Sequence, residues 1–329
     1  MIISRTPFRI SFFGGGTDYP VWYEKNGGIT LSTTINKYAY ITLRELPPFF
    51  DYKHRIQYYL KEEANSLEEI KHPVVREAAK LLGIKKGIEM VHNADLPARS
   101  GLGSSSTFTV GFLQALYTFK NQMVTKRELA LNAINLEQNI IGEAVGSQDQ
   151  TIVAFGGLNL IEFNKSKTFQ VQEVIISEDR LQSLQENLLL CFTGFARTAE
   201  SIAKSQIKVT PYKEKELSMM MEIVKEAKDI IFNNKISLDE FGKLLNEQWF
   251  LKKNLTKHIS NKDIDDIYNT AIKAGAIGGK LLGAGGGGFM LFYAKKENHL
   301  KIKEALKKKL FVPFRFEKTG SQIIYFSHD

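Results

Sequence analysis

The sequence predicts an α+β protein of two domains, and three observations carry that expectation. Segments that alternate apolar and polar residues crowd the first third of the chain, and long helical stripes crowd the second half. Strand and helix therefore segregate, whereas a doubly wound sheet needs them to alternate. At 329 residues the chain is long for one domain and has enough material for a substantial core. With 24% charged and 43% hydrophobic residues it is neither disordered nor fibrous.

Taken in order, residues 2–13, 28–43, 54–60 and 88–96 read as strands, with a short helix over 74–82 before the last of them. The loop PARSGLGSSST follows at 97–107, and FTVGFLQALYTF behind it predicts a helix over 107–120. Thr125 and Glu128 stand at capping-box spacing, and Leu129, Ala133, Leu136 and Ile140 continue an apolar stripe. Gly142 and Gly146 interrupt that helix, and Ser147 can cap a further short one that holds Asp149. Residues 164–186 are polar and aperiodic, which sets the expected domain boundary there, as 1–170 and 171–329. The second unit begins with a strand in NLLLCF. It continues with helices over 214–232, 239–258 and 263–275, a glycine-rich hairpin over 277–294, a helix and a last strand near 322–326.

Composition narrows the function. The lone cysteine, Cys191, cannot form an internal disulfide and sits in an apolar run that reads as core. The net charge of +8 comes largely from KKENHLKIKEALKKK (295–309), where Leu300, Ile302, Leu306 and Leu310 follow helical spacing. That is the solvated face of an amphipathic helix, and without interleaved aromatics it predicts no nucleic-acid surface. A modest positive field still favours anionic substrates. The six histidines lack metal-ligand spacing, so zinc is not expected. No apolar run approaches the roughly 18 residues of a membrane span, and the N-terminus lacks the form of a signal peptide, so the expected location is the cytoplasm. The sequence carries no sign of oligomeric state.

The loop at 97–107 carries the chemistry. Glycines 101 and 103 remove the side chains that would hold an anion off the backbone. The serines behind them open a helix whose first N–H groups lack intrahelical partners and whose dipole is positive at that end. This reads as a cradle for nucleotide phosphate, against the plain alternative of a capped surface turn. It is not a Walker loop, because no lysine lies between Val91 and Lys120. A GxGxxG match at Gly283, Gly285 and Gly288 is followed by FMLFYA, a strand and not a helix, so no dinucleotide site is expected.

Three distant segments, RTPFRISFFGGGTDYP (5–20), the serine–glycine loop and GKLLGAGGGGF (279–289), stand in the order found in GHMP kinases, and the whole chain resembles that family. The resemblance implies an N-terminal domain like the second domain of ribosomal protein S5, a ferredoxin-like C-terminal domain, and ATP with Mg²⁺ between them. It implies nucleotide contacts at Pro97, Ser100, Gly101, Leu102, Gly103, Ser104, Ser105, Ser106, Gly285 and Gly286. Ser105 and Glu137 would hold the metal, with Ser104 or Ser106 as substitutes. Asp149 would take the proton of the acceptor hydroxyl and Arg9 would support it. Gly15, Gly16, Thr17 and Asp18 would meet the sugar, and Lys280 would be a phosphate contact or a rim charge.

The first motif has Gly14, Gly15 and Gly16 where galactokinase-like members have Gly-Glu-His. GGGTDYP resembles the bacterial heptose 7-phosphate kinases, and more distantly the fucose kinases. The implied substrate is D-glycero-D-manno-heptose 7-phosphate, phosphorylated on its anomeric hydroxyl to the 1,7-bisphosphate on the way to nucleotide-activated heptose. Arg197 is the candidate for the sugar's own phosphate. Two alternatives stay open: an unphosphorylated sugar such as fucose, or a catalytically silent sugar-sensing regulator.

Overall fold

In the computed structural model, residues 1–194 and 199–327 are described. The first third holds β1 (Ile2–Phe13), α1 (Pro20–Asn26), β2 (Gly28–Glu45), β3 (His54–Gln57), β4 (Lys61–Ala64), α2 (Pro73–Leu81) and β5 (Ile88–Ala94). Then come α3 (Ser104–Phe119), α4 (Lys126–Asn135), a π-helical turn at Leu136–Ile141, α5 (Gln148–Phe155), β6 (Leu158–Phe163) and β7 (Phe169–Glu173). The long β2 organises this half. It pairs antiparallel with β1 along one edge, and on the other with β6 through Gly28–Thr33 and with β5 through Ala39–Glu45. The expected strand over 54–60 is the β3–β4 hairpin, and the capping box at Thr125 and Glu128 is formed.

The second half holds α6 (Glu178–Glu186), β8 (Leu188–Phe192), α7 (Ala199–Val209), α8 (Glu214–Phe232), α9 (Asp239–Lys253) and α10 (Lys262–Lys273). It continues with β9 (Gly278–Leu281), β10 (Phe289–Tyr293), α11 (His299–Ala305), β11 (Leu310–Phe311), β12 (Phe316–Glu317) and β13 (Gln322–Phe326). Its sheet runs β11-β8-β10-β9, all antiparallel. Numbered within that sheet the order is 4-1-3-2 with helices in the connections, which is the ferredoxin-like split β–α–β arrangement. The two-domain α+β fold expected from the sequence is the fold observed.

The two sheets do not part at a single point of the chain. A cut between residues 170 and 171 falls inside β7, and β12 and β13 return to pair with β2 and β1 of the first sheet. Residues 164–186 look polar because β7 is a half-exposed edge strand and α6 buries only Leu184. The basic C-terminal helix is also shorter than its pattern. Ile302 and Leu306 are buried, whereas Leu300 and Leu310 face solvent. Cys191 is buried as expected, and burial pushes its thiol up to about 12, far from a reactive thiolate.

Both apolar cores draw on both halves. Phe12 and Phe13 at the end of β1 pack edge-on against Phe241 of α9, with ring centroids 5.3 and 4.9 Å apart. This packing brings the end of β1 and the glycine hairpin of β9 and β10 to one place.

Candidate active site

A cavity of about 360 Å³ opens where the three motifs meet, a size suited to a small-molecule site. β1 brings Arg9 to its floor. The guanidinium donates from Nε and Nη2 to the two carboxylate oxygens of Asp149 at 2.7 and 2.6 Å, and from Nη1 to the Gly101 carbonyl at 2.7 Å. The Arg9 amide also donates to the Leu102 carbonyl at 3.1 Å. One buried arginine thus fixes the serine–glycine loop and the acid of α5 relative to each other, in the two-point geometry that guanidinium and carboxylate share.

The loop enters α3 through Gly103, whose φ of +79° is left-handed and favours glycine. Ser104, Ser105 and Ser106 form the first turn, where backbone N–H groups point out of the helix into the cavity. The third motif leans directly on this loop. A Cβ on Gly283 would come 2.5 Å from the Gly101 Cα, and one on Gly101 would come 2.6 Å from the Leu282 carbonyl. The two turns can touch only because neither has a side chain.

On the opposite wall the glycine turn presents Asp18. Its carboxylate accepts from the Gly16 amide at 2.8 Å and the Gln148 amide at 3.3 Å. Burial raises its pKa and the nearby Asp149 adds to that, while the two amides act the other way. Lys280 is buried and donates to the carbonyls of Ser11 and Phe12 at 2.9 and 2.7 Å, and burial holds its pKa well below the usual lysine value. Lys252, from α9, lines the same cavity. Burial, and then the charge of Arg9, push it down to about 8.

The expected residues sort as follows. Arg9, Asp149, Asp18, Gly15, Gly16, Gly101, Gly103, Ser104, Ser105 and Ser106 all line the cavity. Pro97 is exposed and away from the cavity lining, and Ser100 and Leu102 are buried behind the loop, outside the lining. Gly285 and Gly286 do not line it either. They back onto Ile259, whose carbonyl accepts the Gly286 amide at 2.9 Å, and the third motif reaches the cavity through Gly283 and Ala284. Thr17 is buried, and its hydroxyl bonds the Gly14 and Ile29 carbonyls, which makes it a turn residue. Lys280 lies on the cavity floor, not on its rim. Arg197 falls outside the described residues. Lys252 and Gln206 line the cavity without having been expected, and no motif in the sequence marks them; Tyr19 lines it from within the first motif, where no role had been assigned to it.

The serines weighed for the metal differ in what they touch. Ser105 is exposed, whereas the Ser106 hydroxyl donates to Glu137 Oε2 at 2.9 Å, with Gln150 on the same oxygen. Glu137 is fully buried just behind Ser106, in the π-helical turn, a distortion common at functional sites. Burial pushes its carboxyl up to about 7. Its Oε1 is buried without a hydrogen-bond partner. A buried carboxylate directly behind a hydroxyl that lines the phosphate loop fits the hard oxygen donors that Mg²⁺ takes from protein.

Comparison with known proteins finds likenesses along most of the chain. The family pattern for the GHMP kinases N terminal domain matches residues 69–157, and that for the GHMP kinases C terminal matches residues 223–311. A D-glycero-alpha-D-manno-heptose 7-phosphate kinase of Campylobacter jejuni is 31% identical, over 97% of each chain. A bifunctional fucokinase/GDP-fucose pyrophosphorylase of Arabidopsis thaliana is 25% identical over 90% of this chain and 30% of its own. The crystal structure of a D-glycero-D-manno-heptose 1-phosphate kinase from Bacteroides thetaiotaomicron superposes with a TM-score of 0.80 over all of both chains, at 24% identity, a likeness of fold. Among the described residues no helix is long and apolar enough to cross a membrane.

Proposed function

Because the chain belongs to the GHMP kinase family and is an ATP-dependent sugar kinase, we propose that its acceptor is D-glycero-D-manno-heptose 7-phosphate, phosphorylated on the anomeric hydroxyl to the 1,7-bisphosphate. The observation that carries the proposal is the Arg9–Asp149 pair, held between the phosphate loop and the Asp18 turn. Phosphoryl transfer asks little covalent chemistry of a protein, and its demands are alignment and charge. The amides at the start of α3 hold the nucleotide phosphates. Asp18 takes hydrogen bonds from sugar hydroxyls, and Asp149 receives the acceptor's proton as its oxygen attacks. Arg9 keeps that carboxylate oriented and balances the charge that develops.

Ser106 and Glu137 are the residues that would hold Mg²⁺, which when bound neutralises phosphate oxygens. A 7-phosphate suits a cavity lined by four cations, Arg9, Arg99, Lys252 and Lys280, against the three carboxylates Asp18, Glu143 and Asp149. The full-length likeness to a heptose 7-phosphate kinase supports the same substrate. A cytoplasmic site, where ATP and sugar phosphates are available, belongs to the proposal.

Purified protein given ATP, Mg²⁺ and a panel of sugars tests it. Release of ADP should depend on a heptose carrying the 7-phosphate, and the product should gain phosphate at the anomeric carbon. Equal rates with the unphosphorylated heptose, or faster turnover of fucose, would end the heptose assignment.

A further inference from the structure

Lys252 contributes more to the cavity than one of its four positive charges. α9 brings it from the C-terminal half into the cavity, where it is buried. Its ammonium donates to the Leu281 carbonyl at 3.3 Å and to the Gly283 carbonyl. It makes no ion pair among the described residues. An ammonium has three donors, so one remains for a ligand.

Its neighbours locate that donor. Gly283 rests on Gly101 of the phosphate loop, Gly101 gives its carbonyl to Arg9, and Arg9 clasps Asp149. The charges of Asp18 and Asp149 both act on Lys252. Lys252 therefore stands between the loop for the donor phosphates and the acids for the acceptor. We propose that Lys252 is a further catalytic residue, whose third N–H meets the phosphoryl group in transit while the other two hold the third glycine turn in place.

The proposal rests on the kinase reading of this cavity. In the transfer, a bond forms from the acceptor oxygen to the γ-phosphorus as the bond from that phosphorus to the β–γ bridging oxygen breaks. The electron pair leaves with ADP and the hydroxyl proton passes to Asp149. Negative charge spreads over the equatorial oxygens, and a fixed donor aimed there contributes about 10²–10³ in rate.

The experiment compares wild type, Lys252→Met and Lys252→Arg on a sugar that the wild type phosphorylates. Lys252→Met should lose about 10²–10³ in kcat, keep ATP affinity within about threefold, and lose at least about 30-fold in affinity for ADP with aluminium fluoride, a mimic of the group in flight. Lys252→Arg should recover most of the loss. A Lys252→Met enzyme with kcat near wild type overturns the proposal. Equal weakening of ATP and of the mimic overturns it too, since that marks a tie for the glycine turn alone. A wild type that phosphorylates no sugar overturns the kinase reading and this proposal with it.

Should Lys252→Met fail to fold, the pH profile of Lys252→Arg decides. Arg9 on β1, Asp18 in the glycine turn, Asp149 on α5 and Lys280 on β9 face or border Lys252. With its pKa down at about 8, Lys252 loses its charge as pH rises through that value, so kcat/KM of the wild type should fall there. Arginine keeps its charge, and the alkaline limb should move up by more than about one pH unit. A limb that stays put overturns the proposal.

Discussion

At the scale of residues, the site depends on two carboxylates in different surroundings. Asp149 is about one-quarter exposed and held at both oxygens by Arg9, whereas Glu137 is wholly buried with one oxygen unpartnered. The first arrangement suits a group that meets a substrate hydroxyl, and the second suits a cation. Asp149→Asn preserves the shape but not the basicity, so kcat should fall by about 10²–10⁴ while ATP affinity, measured by calorimetry, stays within about threefold. Unchanged turnover would remove Asp149 from the role of base. Ser106→Ala should raise the Mg²⁺ concentration for half-maximal rate by about 10-fold or more, and Ser105→Ala should leave it near wild type. The reverse result would restore Ser105 as the metal-facing hydroxyl. Arg9, Asp18 and Asp149 were legible in the sequence because each lies in a motif with its own glycines. Ser106 and Ser105 could not be told apart there, since helical phase decides which of two adjacent serines faces Glu137. Lys252 was illegible because its importance comes from where α9 packs.

Elements position these residues with tolerances of a few tenths of an ångström. The turn before α5 crosses the Asp18 carboxylate so closely that a Cβ on Gly146 would overlap Asp18 Oδ2. Gly146→Ala should therefore displace Asp18 and raise KM for the sugar about tenfold, with KM for ATP little changed, because the phosphate loop lies on the other wall. Gly83→Ala is the control. Gly83, unlike Gly146, has positive φ, at +62°, but no atom lies within 4 Å of the added methyl and Gly83 does not line the cavity, so any loss should appear in stability alone. If Gly146→Ala raises both KM values equally, Asp18 is not a sugar-specific contact. Most element boundaries were readable from periodicity, as with α8 at Glu214–Phe232. α1 and α6 were missed, α1 because seven residues make barely two turns and α6 because it buries only Leu184 and so carries no apolar stripe, whereas α2, also nine residues long, buries four side chains.

The whole molecule explains why a single cut in the sequence could not divide it. β13 returns from the C-terminus to pair with β1 from Ile2 to Arg5, and Ser321 hydrogen-bonds Thr6 at 2.8 Å. Gly320 packs against the Ala154 carbonyl at the end of α5, so the last strand braces both the strand of Arg9 and the helix of Asp149. The Phe12 and Phe13 contacts with Phe241 join the two sheets through the core, and Lys280 ties β9 to β1 by two main-chain carbonyls. Contacts this apolar and this shared differ from the polar, separable interface usual between domains. Calorimetry should therefore record one unfolding transition, with calorimetric and van't Hoff enthalpies equal within error. Residues 1–170 expressed alone should fail to fold, since β1 would lose β13 on one edge and Phe241 on its buried face. Two separate transitions, or a folded fragment that binds ATP with full-length affinity, would show that the halves stand independently and that the active cavity is assembled by docking after each has folded.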